Sequence, residues 1–174
     1  MALTQVPAPQ TGSLTLLSTT SLTGSSVSVS SINQSYKNLF FIFRDVYVSA
    51  DNRPLYMTAS GATLTGSHSW FGVQGTTVEA SSVRGDVYMT LATKMGSTSG
   101  SSYLSSGSFL ITNYATTATK TVSGNSIALN NSGTRTVGTL AGAFYTASAL
   151  NELTIYLVGG NTFSGGQLLI YGVN

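Results

Sequence analysis

The sequence predicts an all-β fold: an antiparallel β-sandwich, jelly-roll-like, behind a short extended N-terminal arm. Three observations carry that expectation. Short apolar stretches alternate with polar residues at a period of two, turn residues separate them at close spacing, and no window holds a helical period. The density of Gly, Ser and Thr argues against helix throughout. Roughly ten short strands divided by turns suit a sandwich or jelly roll. No internal repeat of solenoid length interrupts the pattern.

The 174 residues fit one sandwich domain over 13–174 with an arm over 1–12. Charged residues are only 7% of the chain, where a soluble protein commonly has about a quarter. Ser (27) and Thr (25) together supply 52 of the 174 residues, so the polar surface is built from hydroxyls and steers ions weakly. The net charge of +2 rests on scattered cations, Lys37, Arg44, Arg53, Arg84, Lys94, Lys120 and Arg135. Without a basic cluster to neutralise phosphates, nucleic acid is excluded as a partner. The absence of cysteine excludes disulfides and thiolate metal sites. The start, Met-Ala-Leu-Thr-Gln-Val-Pro, has neither the basic nor the apolar region of a signal peptide. The longest apolar run, Leu39 to Phe43, falls far short of a membrane span, so no membrane is expected.

In chain order, Pro7 and Pro9 hold the arm extended. Leu3, Val6, Pro7 and Pro9 would dock it on a neighbouring subunit; the alternative is a frayed terminus. Leu14 to Thr20 and Val27 to Ser31 read as strands, with Val27 and Val29 facing inward. Next comes the stretch around which the fold is organised, Lys37 to Val48. Leu39, Phe41 and Phe43 point to one side of an extended chain, and Phe40, Ile42, Val46 and Val48 to the other. A strand apolar on both sides must be covered on both faces. A buried helix is the rival reading, and aromatic and β-branched enrichment favours strand, so Leu39 to Val48 is assigned as the central strand.

Leu55 to Ala59 follows Pro54, and a turn-rich link from Gly61 to Gly66 leads into Ser67 to Val73. Val78 to Thr93 holds one or two strands with Val87, Met89 and Leu91 on one side. Gly96 to Ser102 has the composition of an exposed loop. Phe109 to Tyr114 is a strand, and Thr116 to Thr121 and Ser123 to Gly133 read as short strands. In Asn151 to Val158, Leu153, Ile155 and Leu157 face inward while Glu152, Thr154 and Tyr156 face out. Gln167 to Val173 closes the chain, its end tied down by pairing.

Chemistry is sparse. His68 is the single histidine, and serines are so abundant that a Ser-His-acid relay drawn through it carries no information. No Gly-x-Ser-x-Gly elbow precedes a helix, and a lone histidine makes no metal cluster. A sugar-cleaving enzyme would need two of Asp45, Asp51, Glu79, Asp86 and Glu152 across a cleft, and none sits in a suggestive polar cluster. Asp51 and Asp86 read as turn or solvated residues, while Arg44 and Asp45 face opposite sides. The glycines form no phosphate cradle. No catalytic, cofactor or metal residue is therefore assigned, and the chain is read as no enzyme. The candidate recognition patch is His68, Trp70 and Phe71, since indole and phenyl rings stack on sugars and anchor contacts. The competing reading makes one of the two rings a core anchor. Outward tyrosines such as Tyr47 and Tyr156 would add to a subunit interface or glycan surface. Asn33-Gln34-Ser35 and Asn130-Asn131-Ser132 match the glycosylation pattern without a secretory signal to give it meaning.

The stretches Met-Ala-Leu-Thr, Gly-Ser-Leu-Thr-Leu-Leu-Ser-Thr-Thr and Val-Ser-Val-Ser-Ser-Ile-Asn-Gln-Ser-Tyr-Lys-Asn-Leu, with the close Gly-Gly-Gln-Leu-Leu-Ile-Tyr-Gly-Val, resemble bacteriophage virion surface proteins. These are β-sandwich modules of tail fibres and capsid-surface proteins. The resemblance implies a particle component made in the host cytoplasm and displayed on the virion surface, commonly as a homotrimer. Its neighbours would be the major capsid or tail proteins. With no room for a shaft and no heptad or Gly-x-y repeat, a capsid decoration or short fibre is the first expectation. A tail-tip protein binding host surface glycans is the alternative.

Overall fold

A computed structural model describes residues 13–59, 65–74, 76–86, 88–97 and 104–174. The expected arm, with Leu3, Val6, Pro7 and Pro9, lies outside them, as do Val87 and residues 98–102 of the expected loop. The fold is all-β, as the alternation requires. In chain order the strands are β1 (Leu14–Ser21), β2 (Ser26–Val29), β3 (Asn38–Val48), β4 (Arg53–Ala59), β5 (Thr65–Gln74) and β6 (Thr77–Asp86). There follow β7 (Met89–Met95), β8 (Ser105–Ile111), β9 (Lys120–Leu129), β10 (Arg135–Tyr145), β11 (Leu153–Tyr156) and β12 (Phe163–Val173).

They form an eight-stranded sheet ordered β1-β12-β3-β8-β9-β10-β5-β6 and a four-stranded sheet ordered β2-β11-β4-β7, packed as a sandwich. Every pairing between these strands is antiparallel. Two hairpins, β5–β6 and β9–β10, are additions to a simpler plan. Without them the remaining strands pair first with last and so inward: β1 with β12, β2 with β11, β3 with β8, β4 with β7. Successive pairs alternate between the two sheets. The chain is thus one long antiparallel ribbon rolled over on itself. The two hairpins widen the large sheet beyond β8, and β7 packs against β5, β9 and β10 of that extension.

β3 is interior to the large sheet, and its inner side chains stack against β8. The Phe41 and Phe109 ring centroids lie 5.2 Å apart and those of Phe43 and Phe109 6.1 Å apart. Leu55, Met57, Met89, Leu91, Leu153 and Ile155 meet them from the small sheet. Burial of these side chains, at about 1.5–3 kcal/mol each, is the main favourable term.

One expectation about β3 is corrected. Val46 and Val48 do not face away from Leu39, Phe41 and Phe43; all five are buried in the same core. Phe43 pairs with Gly107 and Val46 with Ser105, so three steps on β3 match two on β8. The extra residue is a β-bulge at Arg44-Asp45, where Asp45 takes φ +57° and its N–H donates to Ser106 Oγ at 3.3 Å. One inserted residue reverses the alternation, returning the two valines to the core. Phe40 and Ile42 on the other face are only half-buried.

Other boundaries also shift. Thr116 to Thr119 is bent, irregular chain rather than a strand, and Ser123 to Leu129 continues the strand begun at Lys120. Tyr114 lies beyond the end of β8. β10 was not anticipated, because its inward positions include Thr136 and Gly138 and so lack an apolar alternation.

A candidate recognition cleft

β5 carries the residues singled out from the sequence, and its alternation separates them. His68 and Trp70 face inward and are each 3% exposed, while Phe71 faces out and is 51% exposed. The three therefore do not share a surface, and the anticipated patch is corrected: Trp70 is the core anchor and Phe71 alone reaches solvent. The indole is accommodated by glycine. A Cβ at Gly72, two residues along β5, would stand 2.1 Å from Trp70 Cη2. His68 Nε2 accepts the Thr90 backbone N–H at 3.3 Å, so β5 covers part of the outer edge of β7. That nitrogen is then not free to take a proton from a serine.

A cleft of about 250 Å³ opens where the β5–β6 hairpin passes the small sheet. Tyr56 from β4, Trp70 from β5, Glu79 and Ser81 from β6, and Thr90 and Thr93 from β7 line it. Tyr56 stands on the outer face of its strand because its neighbours Leu55 and Met57 fill the core. There it meets Tyr88 edge-on, centroids 4.7 Å apart at 70°, and Tyr156 of the neighbouring β11 at 5.7 Å. Burial raises the Tyr56 phenol above the ordinary tyrosine value. Glu79 forms an ion pair with Lys94, whose ammonium also donates to Gln74 Oε1. Among the described residues, Trp70 Nε1 and Thr93 Oγ1 are buried with no hydrogen-bond partner. The cleft thus offers the Tyr56 ring, hydroxyls and a carboxylate held by an ammonium. This set suits a polyhydroxylated ligand: a ring for its C–H face and polar groups for its hydroxyls.

The remaining polar residues have structural work. Asp51 accepts the Asn131 N–H at 2.9 Å and the Asn52 amide at 3.0 Å, holding the β3–β4 turn. Asn130 is buried; its Oδ1 accepts the N–H groups of Ser132 and Thr134, and its Nδ2 donates to Asn52. The Asn130-Asn131-Ser132 triplet is therefore a turn clamp. Arg44 donates twice to Gln167 Oε1, at 3.0 and 2.6 Å, and not to Asp45. Glu152 accepts from Thr154 Oγ1 at 3.3 Å. Among the described residues no three His, Cys, Asp or Glu side chains are grouped to hold a metal ion. The tyrosine cluster escaped sequence reading because Tyr56, Tyr88 and Tyr156 come from three separate segments. The outward assignment of Tyr156 was the one available signal.

No protein-family model, no curated protein and no solved structure matches this chain.

Proposed function

We propose that this chain is a non-catalytic structural protein of a bacteriophage particle, displayed on the virion surface as a capsid decoration or short fibre. The observation that carries the reading is the strand pairing. First with last and inward, alternating between two sheets, supports reading the sandwich as a jelly roll, an architecture widespread in viral capsid and lectin domains. The Ser- and Thr-rich composition and the sequence resemblance support it. Homotrimeric assembly beside the major capsid or tail proteins belongs to the same reading. Antibody–gold labelling of intact particles with serum against this chain tests it: label on the head places it as a decoration, and particles without label overturn the proposal.

A second reading is favoured by the tyrosine cluster and its cleft: a tail-tip module that binds host surface glycans. The purified chain would then bind host cells, and Tyr56→Ala would abolish binding without unfolding the protein. Trp70→Ala is the wrong probe, because it empties the core. Binding unaffected by Tyr56→Ala removes the cleft from this second reading.

A further inference from the structure

We propose that the cleft beside Tyr56 takes a single neutral sugar unit and turns acidic sugars away. The inference rests on the glycan-binding reading and adds to it the class of sugar. β6 is the outermost strand of the large sheet and β7 the outermost of the small, so the cleft opens at the rim of the sandwich. Glu79 and Ser81 pair with Gly72 and Trp70 of β5, which places them on the inward side of β6, toward the cleft they line. Thr90 lines it from β7 and Tyr56 from β4.

Size limits the occupant. At about 250 Å³ the cleft is smaller than the ~300–1,000 Å³ of sites for drug-sized ligands, so it has room for one pyranose ring. Tyr56 supplies the platform for that ring. It is half-buried, and Tyr88 and Tyr156 brace it with centroids 4.7 and 5.7 Å away. A side chain already held in place loses little freedom when a sugar rests on it.

Charge selects among sugars. Among the described residues that line the cleft, Glu79 alone is charged. Lys94 stands outside the lining, and its ammonium is engaged by both Glu79 and Gln74. A sugar hydroxyl can donate to the Glu79 carboxylate, while the hydroxyls of Ser81 and Thr90 can each donate or accept. A sugar carboxylate has no cation on the lining to meet and stands against a like charge. A sugar ammonium would only exchange one ion pair for another, since Glu79 already has Lys94. A neutral polyol makes every contact without either cost.

The test titrates the full chain, followed by saturation-transfer NMR, with methyl glycosides of glucose and galactose. Glucuronic and galacturonic acid glycosides, and the methyl esters of those two acids, complete the set. The neutral glycosides and the esters should bind, and the free acids should bind about tenfold more weakly, the effect of one like charge near a protein surface. Glu79→Gln should narrow that gap, and Tyr56→Ala should abolish all binding with the melting curve retained. Should Glu79→Gln fail to fold, the comparison of acid with ester needs only the wild-type chain. Acids that bind as well as their esters overturn the neutral class and leave the glycan-binding reading standing. No glycoside bound, while host cells are still held through Tyr56, overturns the single sugar unit and again leaves that reading standing. Neither glycosides nor host cells bound overturns both.

Discussion

Trp70 lies across Gly138 on the neighbouring strand: a Cβ on that glycine would stand 2.6 Å from the indole Cζ2. Gly138 pairs with Gly72, so the ring rests on two glycines that face each other across β10 and β5. Gly138→Ala should therefore cost about 1–3 kcal/mol through overpacking, and Trp70→Ala about 3–5 kcal/mol through the cavity it leaves. The two are coupled. In the Trp70→Ala background the alanine at 138 should be nearly neutral, as a double-mutant cycle in urea will report. A cost that persists there would show that something other than the indole excludes the methyl group.

The bulge at Asp45 makes a sharper demand on the chain. At φ +57° a β-branched side chain is strained, so Asp45→Val should lower stability by about 1–2 kcal/mol while Asp45→Gly is tolerated. The hydrogen bond to Ser106 uses the backbone N–H and survives both. Removing residue 45 altogether should be far worse, because Val46 and Val48 would turn away from the core. Melting temperatures rank the three. A deletion no worse than Asp45→Val would mean that the register does not depend on the bulge.

The same bulge shows where sequence reading reaches its limit. Alternation identified β3 and its two apolar sides from Leu39 to Val48, since period two is a local property of the chain. It could not show that one inserted residue reverses the count, because Arg44-Asp45 looks like any polar pair. β10 stayed hidden for a related reason. Its inner positions hold Gly138, which makes room for a ring from β5, a fact visible only once the strands are paired. For the candidate site, His68, Trp70 and Phe71 were singled out by residue type, and strand parity then sent Trp70 inward and Phe71 out. The cleft draws on β4, β5, β6 and β7, and no spacing along one segment encodes such a meeting.

Lys120 reads in the sequence as one of the scattered cations, yet it is fully buried. Its ammonium donates to the carbonyls of Thr116 at 2.6 Å, Thr146 at 3.2 Å and Ser148 at 2.6 Å. Three acceptors match its three protons. It ties the turn before β9 to the segment after β10. Lys120→Met keeps much of the volume and removes every donor, leaving three carbonyls to be resatisfied. The expected loss is about 2–3 kcal/mol, concentrated in these two loops. Amide hydrogen exchange should therefore quicken there before it does in the core strands. Wild-type stability in Lys120→Met would show that the carbonyls find other partners without cost.

Tyr114 and Lys120 also set opposing responses to alkali. Burial raises the Tyr114 phenol above the ordinary value of 10.0, with its backbone hydrogen bond and the nearby Tyr36 as smaller influences. Its hydroxyl donates to the Asn33 carbonyl. Because the folded chain holds this proton more tightly than the unfolded one, its contribution is complete below pH 10.0 and lost as pH climbs through the raised value. Burial lowers the Lys120 ammonium below 10.5, so between its folded value and 10.5 the unfolded chain binds more protons and stability rises with pH. Tyr114→Phe should cost about 0.5–1.5 kcal/mol near neutrality and flatten the decline above pH 10, while Lys120→Met should remove the rise that precedes it. Urea midpoints collected from pH 8 to 11.5 separate the two. An alkaline decline as steep in Tyr114→Phe as in the wild type would assign it to another group, with Tyr56, also raised by burial, the next to replace.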